Sequence, residues 1–204
     1  MLKTYLLITI LLCSSDFKSD YKLPINSSDR TKTANLKLTE IGKFGIQRKE
    51  RPGIPSHYHT GIDIKRPSNN YKDEPIYPIF EGIVISIRED GPYAQLIIEH
   101  KSNHKFWTVY EHIAGIKVDL FEKVSSNTPI ARFMSRSELD KYGWQFDHFH
   151  FEILKVQPIK LKPDKSKPER LFASYTLSCR SIKELNTYFY DPMSFFNKQL
   201  KKTY

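Results

Sequence analysis

The amino-acid sequence predicts a mainly β protein with short α additions, built on an antiparallel sheet. Successive runs of β-branched and aromatic residues occupy the middle of the chain, and connections of hairpin length separate them. The 204 residues include 12 Tyr and 13 Phe, which favour strands. This length suits one domain with a sizeable core and is too short for two full domains.

The predicted strands follow one another at residues 76–80, 82–87, 93–99, 105–113 and 128–133. Because short turns join the middle three, the sequence predicts an antiparallel meander. Three helices are predicted at residues 135–142, 182–189 and 191–200. Ser135 with Glu138 fits a capping box for the first helix, and Asp191 with Pro192 supplies the start of the third.

The formal net charge of +9 predicts attraction to anionic partners such as cell-wall polymers, lipid headgroups or nucleic acid. The sequence contains no zinc-finger spacing, RNP-like strand or basic helix, so nucleic acid is not the expected partner. The sequence gives no indication of the oligomeric state.

Residues 1–13 predict an export segment. Lys3 precedes an apolar run that is too short to span a bilayer as a mature helix. Cys13 follows this run, which resembles the lipobox of bacterial lipoproteins, although Leu12 stands where a small residue normally precedes the cysteine. A lipid anchor on Cys13, cleavage nearby and a retained anchor all stay open. Each predicts a protein exported to the periplasm or cell envelope.

Residues 14–35 are polar and predict a solvated tether, so the core is expected to begin at Leu36 and the domain to cover residues 36–204. Cys179 is expected to be unpaired unless Cys13 survives unmodified and bridges to it. Two cysteines make no disulfide framework.

The central stretch for chemistry covers residues 146–153 and reads Phe-Asp-His-Phe-His-Phe-Glu-Ile. In a strand, alternation places His148, His150 and Glu152 on one face and apolar side chains on the other. The sequence therefore predicts one core face and one chemical face.

The stretch over residues 59–64 has the same form, because His59, Gly61 and Asp63 share one face of a strand. A helix is the rival interpretation, since residues four apart also share a helix face. Gly61 and the β-branched neighbours favour a strand.

If the two strands are neighbours, two imidazoles and a carboxylate can complete three corners of a tetrahedron around Zn²⁺ and leave the fourth for water. The alternative is a set of polar side chains on the wet face of a half-exposed sheet. The spacing alone leaves both interpretations open.

The order of the motifs resembles the M23 family of zinc metallopeptidases, of the lysostaphin and LytM type. The motifs are His59-x-x-x-Asp63, Tyr110-Glu-His112-Ile and His148-x-His150. The resemblance covers residues 53–154 and is supported by the segments 74–82 and 97–100. It implies an antiparallel sheet domain with a groove over the sheet.

The resemblance also implies that His59, Asp63 and His150 bind zinc and that His112 and His148 are the catalytic histidines. The implied activity is hydrolysis of peptide bonds in peptidoglycan stems or cross-links. An unligated imidazole near the metal can take a proton from the attacking water and later deliver it to the leaving amine.

Other polar residues near these motifs have secondary expected roles. Glu152 is expected to orient an imidazole rather than bind metal. Tyr58 is the candidate donor to the developing oxyanion. His57 and His100 are expected to be structural or to support a ligand, and His104 to be exposed.

The sequence departs from the family pattern at the groove. Residues 136–147 contain one glycine where many members have a glycine-rich stretch, which predicts a bulkier wall. An additional segment covers residues 156–180, of which 157–170 predict an exposed loop, and a helical tail covers 181–204. The substrate therefore stays open. A catalytically silent binding module and an exported zinc peptidase acting on proteins are the alternatives.

Overall fold

In the computed structural model, which describes residues 21–200, short and long strands alternate with a few helices. The strands are β1 (Gln47–Arg48), β2 (His57–Tyr58), β3 (Ile62–Lys65), β4 (Pro75–Ile76), β5 (Gly82–Arg88), β6 (Gln95–Lys101), β7 (Lys105–Glu111), β8 (Lys123–Val124), β9 (Ala131–Arg132), β10 (His148–Leu154), β11 (Ile159–Lys160), β12 (Phe172–Ala173) and β13 (Phe189–Tyr190). The α-helices are α1 (Arg136–Tyr142), α2 (Ile182–Tyr188) and α3 (Pro192–Gln199).

The main sheet has seven antiparallel strands in the order β13-β10-β7-β6-β5-β8, and β3 also pairs with β10. The hairpins β5-β6 and β6-β7 form the predicted meander. Strand β10 is central, because β7 pairs along one edge while β3 and β13 share the other. The predicted fold class, mainly β with short helices, is confirmed.

Two predicted strands are much shorter than expected. The prediction over residues 76–80 is wrong beyond Ile76, and the prediction over 128–133 holds only for Ala131–Arg132. Pro78 and Pro129 lie in the predicted residues that do not form strands, because proline cannot donate a hydrogen bond to a neighbouring strand. The remaining β4 and β9 pair with each other beside the main sheet.

One face of β10 lies in the main hydrophobic core, as the alternation predicts. Phe149, Phe151 and Ile153 are fully buried there. Phe151 stacks on Phe196 of α3, with ring centroids 5.8 Å apart. Burying side chains of this size contributes about 1.5–3 kcal/mol each, so the core fixes the face that β10 presents on the other side.

The prediction that no core begins before Leu36 is wrong. Tyr21, Leu23 and Ile25 are buried in the main core, and Ile25 forms a β-bridge with Ile76. Their spacing of two is a strand pattern, which the polar residues around it obscure. Residues 1–20 and 201–204 lie outside the described structure, and with them the predicted export segment and Cys13.

A second apolar cluster covers part of the opposite face of the sheet. Its buried members are Ile97, Trp107, Val109, Leu154, Cys179, Leu185 and Phe189. The additional segment thus packs on the sheet through Cys179, although residues 157–170 are mostly exposed as predicted. Within residues 21–200 Cys179 forms no disulfide, and burial raises its thiol pKa to about 12, so the thiol is unreactive.

The predicted helix starts are confirmed. Ser135 and Glu138 form a reciprocal capping box on α1, and the Asp191 carboxylate accepts a hydrogen bond from Met193 N at the start of α3. Among residues 21–200, no helix has the length and apolar character needed to cross a membrane.

Candidate metal centre and active site

The register of the central sheet places the candidate site. His150 of β10 lies directly opposite Asp63 of β3 on one side and Glu111 of β7 on the other. Residues opposite each other in a sheet point to the same face. The two stretches that the sequence singles out are therefore neighbouring strands, and their polar faces coincide.

His59 reaches the site from outside the strands. The expected strand over residues 59–64 is wrong at 59–61, where the backbone leaves the sheet and His59 N donates to Ile46 O. The rival helix is absent there as well. A Cβ at Gly61 would lie 2.2 Å from Phe151 O, so this close passage beside β10 requires glycine.

Three buried side chains converge at one point. His59 Nε2 lies 3.0 Å from Asp63 Oδ1 and 2.9 Å from His150 Nδ1, and His150 Nδ1 lies 3.0 Å from Asp63 Oδ1. Each of the three residues is only 5% exposed. These atoms form the one group of three potential metal ligands found among residues 21–200.

The outer ring nitrogens of the two histidines show how the inner ones are protonated. His59 Nδ1 lies 2.9 Å from Lys43 O and His150 Nε2 lies 2.9 Å from Glu152 Oε1, and both partners only accept hydrogen bonds. In the neutral tautomers these outer nitrogens carry the protons. Two imidazole lone pairs and a carboxylate oxygen then face one another, an arrangement that fits a zinc ion.

When no metal is bound, a proton on His150 supplies the positive charge beside Asp63 Oδ1. Burial alone would lower the pKa of His150, but hydrogen bonds to the Asp63 and Glu152 carboxylates raise it to about 10. Burial lowers the pKa of His59, so this ring stays neutral. A bound metal would displace the His150 proton, because imidazole ligates only in its neutral form.

Arg48 was not anticipated from the sequence. Its Nη2 lies 2.9 Å from Asp63 Oδ2, the carboxylate oxygen that does not face the histidines. This ion pair leaves Asp63 Oδ1 directed at the two imidazoles. Arg48 belongs to β1, which pairs with β2 next to His59, and no sequence motif connects it to Asp63.

The two histidines predicted to be catalytic lie together beside this cluster. The rings of His112 and His148 are 5.4 Å apart, and His148 Nε2 lies 3.8 Å from Asp63 Oδ1. His112 follows the end of β7 in a left-handed backbone conformation, with φ of 62°. Because of this unusual conformation, the side chain of His112 does not point where the strand alternation would place it and lies towards His148 instead.

Hydrogen bonding and burial set the protonation of this pair. His112 Nδ1 donates to Pro92 O at 2.6 Å, which leaves a lone pair on Nε2. Burial lowers the His112 pKa to about 4, and burial also lowers the pKa of His148. Both imidazoles are therefore neutral at pH 7 and able to accept a proton.

Aromatic side chains that the sequence did not assign to the site surround His112. Tyr93 and Phe146 place their ring centroids 5.9 Å and 4.9 Å from it. Tyr58, the suggested oxyanion donor, packs against the second apolar cluster instead. Tyr93 is 48% exposed beside His112 and is the better placed tyrosine.

The remaining histidines lie outside this group. His100 is fully buried, with Nδ1 2.8 Å from Glu81 O and Nε2 2.7 Å from Thr108 Oγ1. His57 Nδ1 lies 2.8 Å from Pro55 O, and His104 is exposed. Both ring nitrogens of His100 have partners within the protein, as a structural histidine requires.

The antiparallel sheet and its His-Asp-His cluster define a β-sheet protein with a candidate metal centre. Its fold is similar to that of cbpa from L. salivarius REN, with a TM-score of 0.53 and 13% identity over 91% of this chain and 99% of that one. It is also similar to lysostaphin from Staphylococcus simulans, an antimicrobial peptidase, with a TM-score of 0.52 and 16% identity over 88% of this chain and 55% of that one.

A zinc containing peptidase from Vibrio cholerae has 25% identity and a TM-score of 0.45, covering 67% of this chain. This chain spans 37% of the length of that peptidase. No curated protein sequence matches the chain. The sequence model of peptidase family M23 matches residues 57–163, just over half of the chain. The chain belongs to peptidase family M23.

Proposed function

We propose that this protein is an exported zinc endopeptidase that hydrolyses peptide bonds in the stems or cross-links of peptidoglycan. One observation carries the proposal. Two imidazole nitrogens and one carboxylate oxygen converge within 3.0 Å of one another, beside the imidazoles of His112 and His148. This arrangement separates metal binding from proton transfer.

In this proposal His59 Nε2, Asp63 Oδ1 and His150 Nδ1 hold the zinc. A bound zinc ion would polarise the scissile carbonyl and make a water molecule more acidic. His148 and His112 are the neutral bases, and either can take a proton from the attacking water and return it to the leaving amine. Arg48 keeps the Asp63 carboxylate oriented, and Tyr93 is placed to donate to the developing oxyanion.

The substrate class rests on family membership and charge. A net charge of +9 favours an anionic polymer such as a cell wall. The residues for which the sequence predicts a bulky wall form α1 and the turn Trp144–Phe146, shortly before β10 in the chain. Trp144 in this turn is 46% exposed, so the turn presents aromatic surface to solvent.

Mass spectrometry of muropeptides after incubation with purified peptidoglycan tests this proposal. The controls are a chelated sample and a His150→Ala variant, and casein is digested in parallel. New amine termini that disappear in both controls establish the endopeptidase and identify the bond.

Two other outcomes would contradict the proposal. Cleavage of casein but not of peptidoglycan would indicate an exported peptidase of proteins. Zinc bound without cleavage of either substrate would indicate a silent binding module. Lipid attachment is tested separately, by labelling cells with an alkyne fatty acid and comparing the chain with a Cys13→Ala variant.

A further inference from the structure

Glu152 is a fully buried carboxylate next to the candidate metal centre, with no exposed surface. Its Oε1 lies 2.9 Å from His150 Nε2, on the side of the ring away from the cluster. A buried carboxylate is costly unless hydrogen bonds satisfy its oxygens. The other groups that contact it therefore decide whether it can hold this position.

Three hydroxyl groups donate to Glu152. Thr60 Oγ1 lies 2.5 Å and Thr176 Oγ1 lies 2.7 Å from Oε1, and Ser174 Oγ donates to Oε2. With His150 Nε2, the carboxylate has four donors, about the number that an ionised carboxylate can accept. Three of these donors share Oε1, and Ser174 alone donates to Oε2.

The hydroxyl groups come from two different parts of the chain. Thr60 lies between the candidate ligands His59 and Asp63, inside the region that matches the family model. Ser174 and Thr176 lie beyond that region, in the additional segment over residues 156–180. Strands β11 and β12 pair with each other within this segment, and hydrogen bonds between Ser86 of β5 and Phe172 hold it against the main sheet.

We propose that Ser174 and Thr176 are positioning residues for the metal centre, acting through Glu152 on His150. The inference rests on the proposed function, since it assumes that His150 Nδ1 is a metal ligand. The two hydroxyl groups fix the carboxylate, the carboxylate holds the proton of His150 on Nε2, and the Nδ1 lone pair then faces His59 and Asp63.

The geometry explains why two extra donors matter. Oε2 accepts from Ser174, and without this bond the carboxylate has one oxygen unmatched in a buried site. A carboxylate that rotates to find another donor carries Oε1 away from His150 Nε2. The ring then loses the contact that fixes its tautomer and orientation, which typically weakens a metal site.

The test compares Ser174→Ala, Thr176→Val and the double variant with Ser178→Ala. Ser178 is the matched control, because its hydroxyl lies in the same segment but donates to Tyr175 O. Thr176→Ser keeps the hydroxyl and serves as the conservative variant. Zinc affinity is measured on the full chain by competition with a chromogenic chelator, and the melting temperature is measured on the chelated protein.

We expect the double variant to bind zinc about 10- to 100-fold more weakly than the native protein, in line with other changes around metal ligands. Ser178→Ala and Thr176→Ser should bind zinc as the native protein does. Folding of each variant is checked by the melting temperature of the chelated form, which should stay within a few degrees of the control.

An unchanged zinc affinity in a folded double variant would overturn the inference. Equal weakening in Ser178→Ala would overturn it too, because the effect would then come from general loosening of the segment. If the native protein binds no zinc, the proposed function fails instead. If His150→Ala abolishes zinc binding and the double variant does not affect it, the proposed function stands and the inference about Ser174 and Thr176 fails.

Discussion

Histidine has two different environments in the candidate site. One is the metal cluster of His59, Asp63 and His150, and the other is the neighbouring pair of His112 and His148. In the cluster, His59 and His150 have both ring nitrogens engaged and are 5% exposed. In the pair, His112 has one ring nitrogen bonded to Pro92 O, which leaves a lone pair on its other nitrogen. His112 and His148 lie 5.4 Å apart, ring to ring.

This difference separates two requirements of hydrolysis. A metal ligand must be fixed, and the cluster is fixed by Lys43 O, Glu152 and Arg48 from three parts of the chain. A proton-transfer group must keep a free nitrogen and a neutral state at working pH. Burial lowers the pKa of both His112 and His148 and thereby keeps them neutral.

The largest expected effect comes from breaking the cluster. His150→Ala removes one of three converging ligand atoms and leaves Glu152 buried without its imidazole partner. We expect zinc content to fall from about one ion per chain to background, and hydrolysis to fall with it. Metal analysis after gel filtration measures the zinc content, and muropeptide release measures the hydrolysis. Retention of full zinc content would show that the cluster is not the metal site.

A smaller effect is expected from the pair. His148→Ala and His112→Ala should each lower kcat by about 10²- to 10⁴-fold, the usual contribution of a general acid or base. Zinc content should stay at the native level, because neither ring belongs to the three-atom cluster. Rate measurements and metal analysis on the same samples separate the two functions. Loss of zinc in His148→Ala would show that His148 also takes part in metal binding.

His100 provides a buried histidine outside both groups, with its pKa lowered to about 4 by burial. Below pH 6.5 the unfolded chain binds a proton there that the folded chain excludes. The free energy of unfolding should therefore fall by about 3 kcal/mol between pH 7 and pH 4 through this residue alone. Denaturant titrations at several pH values measure it.

The matched variant for this effect is His100→Leu, which removes the titrating group. It should be less stable at pH 7, because Glu81 O and Thr108 lose a partner. Its stability should nevertheless depend less on pH than that of the native protein. An unchanged pH dependence would show that His100 titrates normally.

The smallest expected effect is on α1, where the sequence predicts a wall of the groove. Ser135→Ala removes the N-cap of α1 and should lower the free energy of unfolding by about 1 kcal/mol. Zinc binding should not change, since α1 contributes no atom to the cluster. Thermal unfolding with and without zinc measures both. A weaker zinc affinity would show that the wall supports the metal centre.

Local alternation predicted the sheet and the shared polar faces of His148 with His150 and of Asp63, whereas the roles of the site residues, including His112, came only from the family resemblance. Strand β10 shows a clear period of two, and its register with β3 brings His150 opposite Asp63. The capping box on α1 and the N-cap of α3 are also local patterns. Such local patterns can be recognised in the sequence without knowledge of the tertiary structure.

Contacts between distant parts of the chain were not predictable in the same way. Arg48, Ser174 and Thr176 occupy segments whose composition indicates loops, and only the folded chain brings them to Asp63 and Glu152. Tyr21 to Ile25 were missed because polar neighbours hide a short buried strand pattern. In each case the partner lies far away in sequence, where periodicity carries no information.

X-ray absorption at the zinc edge tests the central claim most directly. On the zinc-loaded protein, we expect two imidazole nitrogens and one carboxylate oxygen at about 2.0–2.2 Å and no sulfur. The spectrum should be unchanged in His148→Ala, whereas His150→Ala should retain too little zinc to give this spectrum. A spectrum that His150→Ala leaves unaltered would place the zinc elsewhere and contradict the account.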